Sequence, residues 1–296
     1  MNEISAAPIA GSELILTARN TIYHLDLEPG HIAPTIITVG DPGRVAAVSK
    51  YFDHITHRAQ HREFVTHTGY IGSKHISVVS TGIGPDNIDI VLNELDALVN
   101  IDFSTRTINK DHTILYIIRL GTCGALQADI PVDSMIASTH ALGLDNLMHY
   151  YVTGNTPEEL SILSDFNTHT NLGSIQVTPY ITEASADLLS LFGDDYIKGI
   201  TATCPGFYGP QGRILRAPVA FTDLPGKLTG FSSGRHRISN FEMETAAIYG
   251  LGRVLGHRCL SISTVVANRV AKTFSADGNK AVENMIERSL EIIASS

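Results

Sequence analysis

Short apolar runs that stop at glycines alternate with helical patterns along almost the whole of this 296-residue chain. That alternation limits the fold more than any other feature. Thr35-Ile36-Ile37-Thr38-Val39 runs into Gly40, His75–Ser80 into Gly82, and Thr113–Ile118 towards Gly121. Ser134–Thr139, Ser174–Val177, Ile197–Thr203 and Leu260–Val266 continue the series. The runs are continuously apolar rather than alternating, the pattern of strands covered on both faces. Between them, Pro85–Val99 places Ile88, Val91, Leu92, Leu95 and Leu98 at helical spacing, and Thr182–Phe192, Met243–Val254 and Asn279–Ala294 read likewise. The expected fold is α/β: a single-domain α/β/α sandwich with a large central sheet. Residues 1–20 are expected as a flexible lead-in and 21–296 as the domain, with Asn100–Asp111 and the Gly- and Ser-rich Leu224–Arg237 as loops.

Charge narrows the function. Thirty acidic and 21 basic residues give a net charge of −9, which argues against a basic nucleic-acid-binding face or attraction to an anionic membrane. The positive charge is uneven, with 14 Arg against 7 Lys. Arginine is preferred where a planar fork must grip a carboxylate or phosphate. Cys123, Cys204 and Cys259 are too few and too scattered for a disulfide framework or a thiolate zinc site. The N-terminal segment carries Glu3 and no basic stretch, and no apolar run approaches the ~20 residues of a membrane span. A cytoplasmic protein with reduced thiols is expected. His57 and His61 have helical ligand spacing, but the β-rich Phe64-Val65-Thr66 beside them argues against a helix, so no metal is expected.

In open α/β sheets ligands bind beyond the carboxyl ends of strands. Three of these ends are rich in glycine: Gly40-Asp41-Pro42-Gly43-Arg44, Ser80-Thr81-Gly82-Ile83-Gly84 and Arg119-Leu120-Gly121-Thr122-Cys123-Gly124. Glycines let an anion approach backbone N–H groups, and an adjacent Arg adds a permanent bidentate charge. None of the three fits the P-loop or the dinucleotide fingerprint.

The motifs G-D-P-x-R (Gly40–Arg44), H-R-E-F (His61–Phe64), S-T-G-I-G (Ser80–Gly84), R-x-G-T-x-G-A (Arg119–Ala125), F-Y-x-x-Q-x-R (Phe207–Arg213) and N-F-E-M-E-T-A (Asn240–Ala246) occur in that order. In this the chain resembles the nucleoside phosphorylases of the uridine/purine superfamily, from about residue 20 to the end. Phe207–Arg213 and Asn268-Arg269 point to the uridine branch. The resemblance implies a central sheet of mixed strands and a role for each motif. Phosphate would be held by Gly40, Arg44, Arg119 and Thr122, with Arg62 lent by a neighbouring subunit. Ribose would meet Glu242, Met243 and Glu244, with His24 again lent by the neighbour. The base would meet Phe207, Gln211, Arg213 and Arg269. Glu242 and Glu244 would also suit the positive end of a helix whatever else they do.

The implied reaction is phosphorolysis of uridine to uracil and ribose 1-phosphate in nucleoside salvage, with 2′-deoxyuridine as an open second substrate. It needs no cofactor beyond the co-substrate phosphate. Some relatives hold a monovalent cation between subunits through the H-R-E-F glutamate and a serine. Here those places hold Glu63 and Asn87, so one of the two ligands is missing. Purine-acting relatives use a late aspartate as general acid, where this chain has Asn268. Alternatives are a purine nucleoside phosphorylase or a nucleosidase of the same fold, and, from another class, a non-catalytic nucleoside-binding protein. Lent residues imply a homo-oligomer, at least a dimer, with hexamers among relatives.

Overall fold

The computed structural model describes residues 7–296, apart from the side chain of Ser174. The first six residues of the expected lead-in lie outside the described residues. In chain order the elements begin β1 (Thr35–Val39), α1 (Pro42–Ser49), β2 (His54–His61), β3 (Phe64–Ile71), β4 (Lys74–Ser80) and α2 (Pro85–Asn100). There follow β5 (Ile101–Asp102), β6 (Thr107–Ile108), β7 (Tyr116–Ala125), β8 (Met135–Gly143), α3 (Pro157–Thr170), β9 (Tyr180–Glu183), α4 (Ala186–Ser190) and β10 (Ile197–Thr203). The chain closes with α5 (Leu224–Gly230), β11 (Ser232–Ser233), β12 (His236–Glu242), α6 (Thr245–Val254), β13 (Arg258–Asn268), β14 (Thr273–Phe274) and α7 (Gly278–Ala294).

Twelve strands form one mixed sheet. Strands β4, β1, β7 and β13 are mutually parallel neighbours. Strands β8, β10 and β12 are parallel to one another. The second group runs against the first, because β13 meets β8 antiparallel and β12 meets β7 antiparallel. The last pairing joins Asn240 to Ala125 and Phe241 to Gly124, and closes β7-β13-β8-β10-β12 into a ring. The carboxyl ends of the two opposed groups therefore converge where β12 meets β7.

The buried stretches of β1, β7 and β13 carry the main core, with α2, α6 and α7 laid against it. A second apolar cluster gathers Leu126, Phe166, Phe231 and Phe241. Among residues 7–20, Leu14 is buried and Ile9 N–H donates to the Arg106 carbonyl (2.7 Å). No helix among the described residues is long and apolar enough to cross a membrane.

The structure corrects several expected elements. The third strand does not stop at Gly121 but continues to Ala125. Ser174–Val177 is no strand: Leu172–Ile175 form a 3-10 turn, and Tyr180–Glu183 pair with β8 instead. That pairing holds Thr182 in a strand, so the helix expected from it begins only at Ala186. Leu224–Arg237 contains α5 and the β11–β12 turn rather than one loop, and Asn100–Asp111 contains the small β5–β6 pair. His57 and His61 lie on a strand, as the neighbouring β-rich run implied, and do not act together: His57 stacks on His31 (3.8 Å), while His61 Nδ1–H donates to the His24 carbonyl (3.0 Å).

Candidate active site

A cavity of about 840 Å³ opens where the two strand groups converge. That volume suits a small-molecule site, which typically occupies ~300–1,000 Å³. Gly40, Arg44, Arg119, Thr122, Phe207, Gln211, Arg213, Glu242, Met243 and Glu244 all line it. Residues separated by 200 positions in sequence thus meet because the loop after β1, the end of β7 and the β12–α6 junction share one end of the sheet.

At one end of this set lies a buried ion pair. Arg119 projects from β7 with a relative exposure of 6%. Its Nη2 lies 2.5 Å from Glu244 Oε2 and 3.1 Å from Glu242 Oε2, and its Nη1 donates to Ser263 Oγ (3.2 Å). The guanidinium folds back over Gly121, where a Cβ would sit 1.9 Å from Arg119 Nη1. That close approach explains a glycine in mid-strand. Burial pulls the Arg119 guanidinium down, but Glu242 and Glu244 outweigh it and hold it above its ordinary value. Arg44 is displaced the other way, lowered first by burial and then by Arg119, with Asp41 and Glu244 only partly opposing. Arg44 is therefore the cation of the two whose charge lacks a close counter-ion, a condition an incoming anion would relieve.

The two glutamates differ. Glu242 Oε1 accepts from Thr203 Oγ1 (2.6 Å), and its carboxylate accepts the backbone N–H groups of Glu244 (2.9 Å) and Thr245 (3.0 Å). Its bonds start α6. Glu244 accepts from Gly84 N–H (3.0 Å) and from Arg119. Burial raises its carboxyl, Glu242 adds to the rise, and Arg119 opposes it without cancelling it. Gly84 has φ +101°, a backbone that favours glycine and aims its N–H at Glu244.

A second linked group surrounds Phe207. The Arg213 guanidinium lies 3.7 Å above the Phe207 ring, and its Nη1 donates to the Phe207 carbonyl (2.7 Å) and to Gln211 Oε1. Gln211 is buried at 3% exposure, whereas Phe207 is half exposed. Arg269 lies 5.5 Å over the Phe241 ring and does not line the cavity itself. Burial lowers Arg213, and Arg269 lowers it further. Asn268 is spent on structure: its Nδ2 donates to the carbonyls of Gln127 (2.8 Å) and Ile130 (2.7 Å), and its Oδ1 accepts from Val270 and Ala271.

His24 and Arg62 stand outside the cavity, and they stand together. Arg62, at the β2–β3 turn with φ +55°, lies 5.8 Å over the Tyr23 ring. His24 Nδ1–H donates to Glu94 Oε1 (2.6 Å), and the His24 and Leu25 N–H groups bind the same carboxylate. Cys123 lines the cavity as a buried thiol pushed up to about 12 by burial, which leaves it protonated and inert. Phe241 and Ser263 were not singled out from sequence. Phe241 lies inside the N-F-E-M-E motif, a signal that was available, whereas nothing local to Ser263 points to Arg119.

Residues 34–294 match the sequence pattern of the Phosphorylase superfamily. A uridine phosphorylase of Thermococcus kodakarensis is 31% identical over 278 residues, covering 92% of this chain and 86% of that one. A uridine phosphorylase of Haemophilus influenzae is 27% identical over 255 residues, covering 84% of this chain and 86% of that one. Among solved structures, a Trypanosoma brucei nucleoside phosphorylase described as showing uridine phosphorylase activity superposes with a TM-score of 0.87 at 31% identity, covering 96% of this chain and all of that one.

Proposed function

The chain belongs to the phosphorylase superfamily, and we propose that it is a uridine phosphorylase, a pentosyltransferase that cleaves uridine with inorganic phosphate to uracil and ribose 1-phosphate. The observation that carries this reading is the sharing of one cavity by two groups of opposite design. One is the Arg44–Arg119 pair with its glutamates, and the other is the Phe207–Gln211–Arg213 cluster. Residues 21–296 are read as one domain preceded by a lead-in of 1–20.

Phosphate is received by Arg44, Arg119, Thr122 and the backbone at Gly40. Ribose hydroxyls donate to Glu244, and Met243 packs on the sugar. Glu242 serves the ribose indirectly by holding the start of α6. Uracil stacks on Phe207 while Gln211 and Arg213 donate to its oxygens, and Arg269 adds positive charge behind Phe241. As the glycosidic bond opens, the sugar gains positive charge and the base negative charge. Glu244 faces the first and Arg213 the second, so the protein lowers the barrier by placed charge rather than by covalent chemistry. His24 of the partner subunit and the partner subunit's Arg62 complete the pocket. Their position together outside the cavity of their own chain supports that sharing, as does the exposed apolar rim formed by Ile83 and Phe274. The assembly is a homo-oligomer of at least two chains, and the enzyme works without a cofactor in the cytoplasm.

Incubation with uridine, with and without phosphate, tests the proposal by uracil release. Release only with phosphate is expected. Release without it would make the protein a nucleosidase, and none in either case would leave a nucleoside-binding protein.

A further inference from the structure

Away from the cavity, β8, β9 and α3 bring together three side chains that the proposed reaction does not use. His140 and Glu183 are directly paired across β8 and β9, and Glu158 lies in the first turn of α3. A ring nitrogen of His140 and one carboxylate oxygen each from Glu158 and Glu183 lie within 4.8 Å of one another. We propose that His140, Glu158 and Glu183 form a binding site for one divalent transition-metal ion of the zinc class, with His236 orienting Glu158.

The independent observation is at His140. The residue is 5% exposed, and its Nε2 is buried with no hydrogen-bond partner. Its Nδ1 lies 3.2 Å from Thr139 Oγ1. With the proton on Nδ1, Nε2 presents a bare lone pair, the tautomer a metal requires. An unpartnered buried nitrogen costs stability, so some partner is called for. Imidazole nitrogen and carboxylate oxygen are both ligand types that zinc takes, at ~2.0–2.2 Å, and three protein ligands leave the fourth position for water. His236 Nε2 lies 2.8 Å from Glu158 Oε1, the outer-shell contact that fixes a ligating carboxylate.

Charge and mobility fit the closure needed. Two carboxylates and a neutral imidazole balance a doubly charged ion. Arg253 is occupied with Glu159 at 2.7 Å and reaches Glu183 only at 3.6 Å. Arg235, 3.5 Å from Glu158, is 83% exposed and free to turn away. Glu158 and Glu183 are themselves about half exposed, so rotamer changes bring their oxygens in. A second group of similar composition, Asp96, His112 and His257, does not qualify. His257 Nδ1 accepts the Leu115 N–H (3.2 Å), so its Nε2 keeps the proton and faces Asp96 Oδ1 at 3.2 Å. His112 Nε2–H donates to the Leu255 carbonyl (2.9 Å), so with His257 spent the group offers a metal only one imidazole nitrogen and one carboxylate.

The test is a titration of the full chain, stripped with chelator and dialysed, with Zn²⁺ against a chromophoric competitor. One Zn²⁺ per chain is expected, with a rise in Tm of about 4 °C at a hundredfold excess over Kd. Glu158→Gln/Glu183→Gln together should weaken binding at least tenfold while leaving the metal-free Tm within a few degrees. His140→Gln should do the same, and should abolish the visible bands of the Co²⁺-loaded protein, which guards against a misfolded double variant. His112→Ala should bind as the parent does. A parent chain that takes no Zn²⁺, or variants at His140, Glu158 and Glu183 that bind within tenfold of the parent, would overturn the site.

Discussion

Arg213 and Arg119 test different halves of the cavity. Arg213 is fixed by Phe207 and Gln211, so its removal takes away the donor proposed for the base without touching the anion end. Arg213→Ala is expected to lower kcat/KM for uridine about a hundredfold, with the KM for phosphate changed much less. Uridine kinetics left unchanged would refute the base assignment. Gly121→Ala acts on the opposite end: the new Cβ would lie 1.9 Å from Arg119 Nη1 and force the guanidinium to move. A displacement of that order is expected to raise the KM for phosphate at least tenfold in steady-state assays. Glu244 supplies the pH dependence. Burial raises its carboxyl above the ordinary 4.5, so the acceptor proposed for the ribose hydroxyls is lost at a higher pH than a free glutamate would lose it. Uridine affinity, measured by calorimetry without phosphate, should fall on acidification from above pH 4.5, and Glu244→Gln should remove that limb. The motifs made most of these residues legible in the sequence. The paired Glu242 and Glu244 looked alike there, and only the bonds to Thr203, Glu244 N–H and Thr245 N–H separate a helix-starting carboxylate from one facing the cavity.

Elements with one strong period were legible. The continuous apolar run of β1 and the 3–4 spacing of α2 and α7 appear almost as the sequence implies. Strand β2 hides because its exposure alternates and most of its residues are polar, and of β3 only Phe64-Val65-Thr66 read as β-rich. Gly121 and Gly124 disguise the second half of β7 as a turn, although each is small for a neighbour's sake, Arg119 in one case and Phe241 in the other. Helix α3 has a weak apolar stripe, yet its capping box was there to be read in Thr156-Pro157-Glu158-Glu159. Glu159 anchors that helix beyond its cap. Fully buried, it pairs with Arg253 and accepts the N–H groups of Thr156 and Glu183. Glu159→Gln is expected to cost about 3 kcal/mol in thermal or denaturant unfolding, at the low end for breaking a buried pair because Arg253 stays partly exposed. Burial pushes the Glu159 carboxyl up, but Arg253 and the backbone donors outweigh it and hold it below 4.5. Its contribution is therefore full above the ordinary glutamate range and is lost as pH falls through the lowered value. The Tm gap between the parent and Glu159→Gln should narrow accordingly in acid.

At the scale of the assembly, the separation of Arg62 and His24 from their own cavity makes a quantitative prediction. Arg62→Ala and Arg213→Ala should each be nearly inactive. In a hybrid dimer, the site that keeps its own Arg213 meets an intact Arg62 from the other chain. Mixing the two variants under subunit exchange should therefore recover about a quarter of the parent activity, since half the dimers are hybrids with one good site each. No recovery would mean that each chain supplies its own pocket. The closed ring β7-β13-β8-β10-β12 has a further consequence. Arg119, Thr122 and Glu242 are all borne on its strands, and Arg269 follows the end of β13, so none of these positions can drift without distorting its neighbours around the circle. The segment from Pro205 to Phe221, which bears Phe207, Gln211 and Arg213, hangs outside that ring. The molecule is thus divided into a part that tolerates rewriting and a part that does not. On the proposed reading, Phe207, Gln211 and Arg213 of the base site can be exchanged by grafting one loop, whereas Arg119 and Thr122 of the phosphate site are fixed by the ring itself.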